Sequence, residues 1–276
     1  MERPAGQVSP APPATDPTCR FTDRVDDYLR HRPRYPAATL DFLRAELSLR
    51  PEHVVADIGS GTGFLAEVFL AAGHRVYGVE PNDEMRLAGE RHLAHYPNFT
   101  SIAARAEATT LPAAAVDFVT AGQAFHWFVL APTKREFLRI LKPGGWIVLA
   151  RNELKCDGDA FLEKYRALAR RSRLDRALGE RRAVSEFHDP VLAEFFSPGT
   201  FRKAIATVHA HDLDYDQTLG RLQSFSSIPL PGDPTHAAMA AELRRIFDQH
   251  QQNGRVRFSY DVELVYGQPG NPPLAV

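Results

Sequence analysis

The chain of 276 residues contains only two cysteines and no long apolar run. Cys19 and Cys156 lie far apart and form neither a CxxC nor a CxxH pattern, so we expect reduced thiols rather than a disulfide or a metal site. No stretch approaches the roughly 20 apolar residues that a bilayer-spanning helix needs. The first 18 residues are rich in proline and alanine and lack the apolar region of a secretory signal. We therefore expect a cytoplasmic protein.

A strong excess of charge of either sign is also absent. The formal net charge is −1, so no overall field attracts nucleic acid or an anionic membrane. Residues 166–182 are basic, but they include Asp175 and Glu180 and few aromatic side chains. We interpret this stretch as a solvated helix face rather than an RNA site. We expect neither nucleic acid nor a membrane as a partner, and a monomer or a homodimer.

Strand-like and helix-like segments alternate between residues 53 and 150. This alternation is typical of an α/β, Rossmann-like, doubly wound sheet of mostly parallel strands. Residues 255–266 alternate in polarity and predict a final, antiparallel strand. Residues 159–182 and parts of 216–252 predict helices that form an insertion. The predicted strands cover residues 53–58, 75–80, 100–104, 116–121 and 146–150, and the helices between them residues 62–72, 82–95 and 133–141.

A glycine-rich turn follows the first predicted strand. Residues 57–63 (DIGSGTG) place three glycines at alternate positions, which permits a tight turn and the close approach of a ligand. The helix that follows presents N–H groups and a partial positive charge, which suits an anionic group such as a carboxylate. Glu80 ends the next strand, where an acid can hold both hydroxyls of a ribose.

Two ligands fit this turn. Residues 61–66 (GTGFLA) satisfy the looser G-x-G-x-x-A dinucleotide pattern, so the turn alone leaves a nicotinamide cofactor open. Asp57 counts against that ligand, because an acid immediately before the turn would repel a pyrophosphate. The same acid suits the ammonium group of an amino-acid tail.

Five motifs in order resemble those of class I S-adenosylmethionine-dependent methyltransferases. The N-terminal signature, Tyr28 followed by residues 32–36 (RPRYP), is similar to that of type 11 methyltransferases, including enzymes similar to trans-aconitate methyltransferase. The resemblance covers residues 21–152, and beyond that only the order of elements matches. The five motifs are DIGSGTG at 57–63, VEPN at 79–82 with Met85, RAE at 105–107 before LP at 111–112, VDFV at 116–119 before QAFHWF at 123–128, and LKPGG at 141–145.

The resemblance implies S-adenosylmethionine as the cofactor and assigns its parts to separate segments. The glycine turn would hold the methionine part, Glu80 the ribose hydroxyls, and the segments around Met85 and Ala106 the adenine. Tyr28 and Arg32 would belong to a lid, with Arg32 paired to the cofactor carboxylate. The implied cofactor-binding residues are Tyr28, Arg32, Asp57, Gly59, Ser60, Gly61, Glu80, Pro81, Met85, Ala106, Glu107, Gln123 and Ala124.

We predict one methyltransferase domain over residues 21–268. It comprises the lid at 21–36, a cofactor-binding core at 37–152, and a helical insertion with sheet completion at 153–268. A disordered leader at 1–20 and a flexible tail at 269–276 would flank it.

The predicted activity is methyl transfer to a small-molecule acceptor. This reaction is an in-line displacement with a neutral leaving group, so holding the nucleophile at about 3 Å from the carbon can suffice. His126 is the candidate base for acceptors that must lose a proton, and the alternative is that it packs as pocket wall beside Trp127 and Phe128. Two other functions stay open, a nicotinamide-dependent oxidoreductase and a non-catalytic S-adenosylmethionine-binding module. The oxidoreductase lacks an evident Tyr-x-x-x-Lys constellation.

Overall fold

The computed structural model describes residues 24–173, 187–197 and 200–268. A seven-stranded sheet with the order β3-β2-β1-β4-β5-β7-β6 forms its centre. The strands β1 to β5 pair in parallel, and β7 pairs antiparallel with both β5 and β6. The predicted mostly parallel sheet with an antiparallel C-terminal strand is therefore confirmed. The strands are β1 (Val54–Ile58), β2 (Arg75–Val79), β3 (Phe99–Ile102), β4 (Val116–Gly122), β5 (Leu141–Leu154), β6 (Phe201–Leu213) and β7 (Val256–Gly267).

Helices cover both faces of the sheet. Alternate strand residues point to opposite faces, so Val55 packs with α2 and α3 while Ala56 packs with α5 and α7. Both faces of the inner strands are buried, which explains why these strands are short continuous apolar runs. The helices of the described residues are α1 (Val25–His31), α2 (Ala38–Leu47), α3 (Phe64–Ala71), α4 (Asp83–His92), α5 (Leu130–Ile140), α6 (Ala160–Arg171), α7 (Asp189–Phe196), α8 (Tyr215–Gln223) and α9 (His236–His250).

The helices α6, α8 and α9 form a separate apolar cluster against one end of β7. Phe258 and Tyr260 of β7 are buried in this cluster. The α1 helix packs on α8, because the Arg24 guanidinium donates to the carbonyl oxygens of Gln223, Phe225 and Ile228 at 2.6–2.8 Å. The N-terminal segment and the second half of the chain therefore meet beside the carboxyl ends of the parallel strands.

Several boundaries differ from the sequence prediction. The α1 and α7 helices were not predicted, since each is a short element of seven or eight residues with little periodicity. The strand predicted over 146–150 is observed as β5 and also includes the LKPGG motif at 141–145, because Leu141 pairs with Val116 before a shift in register. The helix predicted over 159–182 is observed as α6, and residues 174–182 lie outside the described residues, as do the predicted leader and tail.

Within the described ranges, every helix is too short or too polar to span a membrane.

Candidate cofactor-binding site

Gly59 and Gly61 lie in the turn between β1 and α3, where the backbone is left-handed and little space is left for a Cβ atom. Gly59 has a φ of +66° and Gly61 a φ of +55°, in the left-handed region that side chains disfavour. A Cβ atom on Gly59 would lie 2.6 Å from the Cβ of Ala124, and one on Gly61 would lie 3.2 Å from Cε of Met85. The glycines thus let the segments after β2 and β4 approach the turn closely.

The amide groups of this turn bind protein oxygens. The N–H groups of Gly59 and Ser60 donate to the Val79 carbonyl at 2.8 and 3.1 Å, and Gly61 donates to Oε2 of Glu80 at 2.8 Å. The expectation of N–H groups for an anion concerned the helix that follows, which is α3, and it stays a prediction. These three N–H groups of the turn donate within the protein. The physical reason is that the turn folds back onto the end of β2, and this contact holds Glu80 in place.

Glu80 is a buried carboxylate held by two backbone donors. Its second oxygen, Oε1, accepts from the Asn82 N–H at 2.9 Å, and only 8% of the residue is exposed. Burial raises the pKa of Glu80, although the N–H groups of Asn82 and Gly61 oppose that rise. Each oxygen retains a lone pair, so the carboxylate can accept two further hydrogen bonds from vicinal hydroxyls.

Asp57 is the penultimate residue of β1, just before the turn, and is 1% exposed. Its Oδ1 accepts from the Thr120 hydroxyl at 2.9 Å, whereas its Oδ2 has no hydrogen-bond partner among the described residues. Burial raises the pKa of Asp57 to about 7, against the effects of the Thr120 hydroxyl and the Ala66 N–H. A buried oxygen without a partner is costly, and a bound ammonium group would satisfy it.

One cavity brings these groups together. All thirteen residues that the resemblance implied line its wall. This arrangement fits a ligand that presents an ammonium group to Asp57 and hydroxyl groups to Glu80. Which part of the ligand each residue binds stays a prediction.

His126 is not among the residues that line this cavity. It lies in a short 3₁₀ helix (Phe125–Trp127), where its ring is 4.8 Å from the ring of Trp127. It lines another, small cavity, which shares Gln123 and Ala124 with the cofactor cavity. The structure thus does not place the candidate base beside Asp57 and Glu80, and its role as a base stays a prediction.

The two lid residues reach the cavity from α1. The Arg32 guanidinium lies 5.1 Å from the Tyr28 ring and 4.2 Å from the Phe225 ring, and it donates to the Ser224 carbonyl at 3.0 Å. Tyr28 stacks on Phe64 at 5.8 Å. The described part of α1 therefore covers one side of the cavity and is tied to the segment after α8.

Asn152 is a residue of the wall that sequence reasoning missed, and it is held by the predicted residue Gln123. Gln123 adopts a φ of +57°, unusual for a residue with a side chain, and its Nε2 donates to the Asn152 carbonyl at 3.1 Å. The Asn152 side chain donates in turn to the Pro33 carbonyl at 3.3 Å. No motif marks Asn152, because its position depends on the length of β5. Other residues of the wall that were not assigned a cofactor contact are Tyr35, Asn82, Arg105, Trp127 and Phe128.

A doubly wound sheet with two buried acids at a glycine turn defines a domain that binds a nucleoside-containing cofactor. Comparison with known proteins narrows this class. Residues 56–149 match the family model described as a methyltransferase domain. This domain indicates S-adenosylmethionine as the cofactor, and a nicotinamide cofactor is not favoured.

Two curated relatives also carry the word methyltransferase in their names. An uncharacterised methyltransferase-like protein of Schizosaccharomyces pombe is 30% identical over 156 residues, which cover 56% of this chain and 59% of the relative. An uncharacterised methyltransferase of Mycobacterium tuberculosis is 34% identical over 137 residues, which cover 50% of this chain and 54% of the relative. The chain thus spans less than two thirds of the length of these relatives.

A solved structure extends the likeness to most of the fold. A structure whose name assigns it to the type II methyltransferases, from Anaeromyxobacter dehalogenans, is 26% identical with a TM-score of 0.61. The alignment covers 86% of this chain and 97% of that structure. The domain match, the relatives and this structure thus all make the chain similar to methyltransferases.

Proposed function

We propose that this chain transfers a methyl group from S-adenosylmethionine to a small-molecule acceptor. The observation that carries the proposal is the unpartnered Oδ2 of Asp57, which shares a cavity with the Glu80 carboxylate. An amino-acid ammonium group and a ribose on one ligand satisfy both acids. The methyltransferase domain match supports the same ligand.

The residues expected at the cofactor site each have a proposed task in holding the cofactor. Asp57 accepts from the ammonium group, and Glu80 accepts from the ribose hydroxyls. Arg32 pairs with the carboxylate, because the amide groups of Gly59, Ser60 and Gly61 already donate within the protein. The adenine is held by the segments that carry Pro81, Met85, Ala106 and Glu107, and Gln123 and Ala124 lie beside the methionine part.

The bound cofactor supplies an electrophilic methyl carbon on a sulfonium, and the electrons of the broken carbon–sulfur bond stay on sulfur as a neutral thioether. The chain's residues therefore need to orient the acceptor and exclude water, and no acid is required. Among the described residues, the wall of the cavity contains no histidine. We accordingly propose catalysis by positioning. The similarity to trans-aconitate methyltransferase-like enzymes stays a prediction.

The test measures binding and turnover on the full chain. We expect calorimetry to show binding of S-adenosylmethionine and no binding of NAD, and labelled S-adenosylmethionine to yield a methylated product from a small-molecule library. Binding of NAD instead would favour an oxidoreductase. Cofactor binding without any product would favour a non-catalytic module.

Glu80 provides the matched test of the cofactor contact. Glu80→Gln replaces a carboxylate oxygen with an NH₂ group that opposes a backbone N–H donor, so we expect affinity for S-adenosylmethionine to fall about tenfold or more. Glu84→Gln is the control, because Glu84 is exposed in the first turn of α4. Equal affinities for the two variants would contradict the proposed role of Glu80.

A further inference from the structure

A second cavity adjoins the cofactor cavity. The two cavities share Arg32, Gln123 and Asn152. The second cavity continues from these shared residues between the end of β5, α6 and the segment that follows α8. A molecule in it would lie next to the part of the cofactor site that we assign to the methionine end.

The wall of this second cavity is strongly basic. It contains five arginines and a single acid, Glu153, whose Oε1 forms an ion pair with Arg166 at 2.8 Å. Three of the arginines belong to the basic stretch at 166–182, which we expected to be a solvated helix face. The described part of that stretch instead contributes to a cavity. The five arginines are Arg32, Arg166, Arg170, Arg173 and Arg221.

Arg221 is the most deeply buried of these cations, with 5% exposure. Its Nε donates to the Tyr260 hydroxyl at 3.0 Å, and its guanidinium lies 5.3 Å from the Tyr260 ring. Its Nη1 has no hydrogen-bond partner, and no carboxylate within the described ranges pairs with it. A buried cation in this state carries a large desolvation cost, which an anionic ligand would offset.

Tyr165 presents a second unsatisfied donor in the same wall. Its side chain is 2% exposed, and its hydroxyl has no hydrogen-bond partner among the described residues. Buried hydroxyl groups are normally paired, so an unpaired one marks a place where a ligand can bind. Phe225 and Ile228 add an apolar surface beside the two polar groups.

We propose that the second cavity binds the methyl acceptor, and that the acceptor is a small molecule carrying an oxyanion, a carboxylate or a phosphate. Arg221 and Tyr165 donate to the oxyanion, since a guanidinium fork matches both groups. The apolar body of the acceptor lies against Phe225 and Ile228, and its nucleophilic atom faces Gln123. This inference rests on the proposed methyltransferase function.

Calorimetry with matched probes tests the proposal on the full chain saturated with S-adenosylhomocysteine. Benzoate and benzamide have nearly the same shape and differ in charge, and inorganic phosphate tests the other oxyanion. We expect benzoate or phosphate to bind and benzamide not to bind, and the better anion identifies the group. Equal binding of benzoate and benzamide, or no binding of either anion, would overturn the proposal.

Two variants and one control test whether Arg221 and Tyr165 bind the anion. We expect Arg221→Met to weaken anion binding about tenfold to hundredfold, and Tyr165→Phe to weaken it about threefold or more. Tyr165→Phe removes a hydroxyl without a partner, so its melting temperature should not fall, which keeps the test decisive if Arg221→Met does not fold. Arg171→Gln is the control, because Arg171 pairs with Glu242 and is not part of the wall.

The affinity for S-adenosylhomocysteine distinguishes a failure of the acceptor-site proposal from a failure of the proposed methyltransferase function. If all variants keep that affinity while anion binding does not depend on Arg221 or Tyr165, the acceptor assignment alone is wrong. If the unmodified chain does not bind S-adenosylhomocysteine, the proposed function is wrong as well.

Discussion

At the scale of single residues, the Asp57 carboxyl is balanced between its charged and neutral forms near neutral pH. Burial raises its pKa to about 7, whereas an unfolded chain ionises this group near its usual value of 3.8. Between these two values the folded state holds a proton that the unfolded state has lost. This single group therefore lowers the stability of the ligand-free protein as the pH rises from about 4 to 7.

The same titration predicts a pH-dependent affinity for the cofactor. An ammonium group binds the ionised form of Asp57, so we expect the affinity for S-adenosylhomocysteine to rise up to about tenfold per pH unit between pH 5.5 and 7. Calorimetry below about pH 7.5, where an α-amino group stays protonated, measures this slope. In Asp57→Asn the affinity should be weaker and the slope lost. A slope retained in that variant would assign the titration to another group.

At the scale of elements, the β1–α3 turn and the segments packed on it form one unit. The turn donates to the end of β2, Asn82 Oδ1 accepts from the Met85 N–H at 2.8 Å to cap α4, and Ala124 lies against Gly59. A change at the turn is therefore transmitted to the segments that follow β2 and β4.

Two glycines allow a matched test of this arrangement. Gly59 and Gly73 both have positive φ, but a Cβ on Gly73 meets no atom within 4 Å. We expect Gly73→Ala to cost about 1 kcal/mol of stability with unchanged cofactor affinity, because only backbone strain is added. Gly59→Ala adds the same strain and a clash with Ala124, so cofactor binding should fall by more than tenfold. Thermal melts and calorimetry measure both quantities, and similar binding by the two variants would contradict the close packing.

At the scale of the whole molecule, the cofactor cavity is walled by distant parts of the chain. Tyr28 lies in α1 and Arg32 directly follows it, Glu80 follows β2, and Asn152 belongs to β5. Arg32 also donates to Ser224, 192 residues away. A ligand that contacts all of these segments links them, so its binding should stabilise regions that are far apart in the sequence.

Ligand binding should therefore raise both the melting temperature and local protection. At a free concentration of about 100 times the Kd, S-adenosylhomocysteine should add about 2.7 kcal/mol to the free energy of unfolding. We expect slower amide hydrogen exchange in α1 as well as in the β1–α3 turn. Protection of the turn without any change in α1 would show that the N-terminal segment does not act as a lid.

The local elements around the first half of the sheet could be predicted from the sequence. The strand predicted over residues 53–58 is observed at Val54–Ile58, and the one predicted over 75–80 at Arg75–Val79. Buried parallel strands are apolar runs, and a glycine turn between strand and helix has a recognisable spacing, so both features depend on neighbouring residues only. The thirteen residues expected at the cofactor site came instead from the family resemblance. They all line one cavity, and which part of the cofactor each one binds stays a prediction.

Only the tertiary structure showed which residues complete the two cavities. Asn152 meets Pro33 across 119 residues, and the unpartnered donors of Tyr165 and Arg221 come together from two helices of the second half. No local pattern encodes these contacts, because they depend on how distant elements pack. The sequence by itself thus determined the sheet, the glycine turn and its acids. The basic second cavity was decided by the packing of α6 and α8 against the end of β7, which places part of a charged helix in the wall of a cavity.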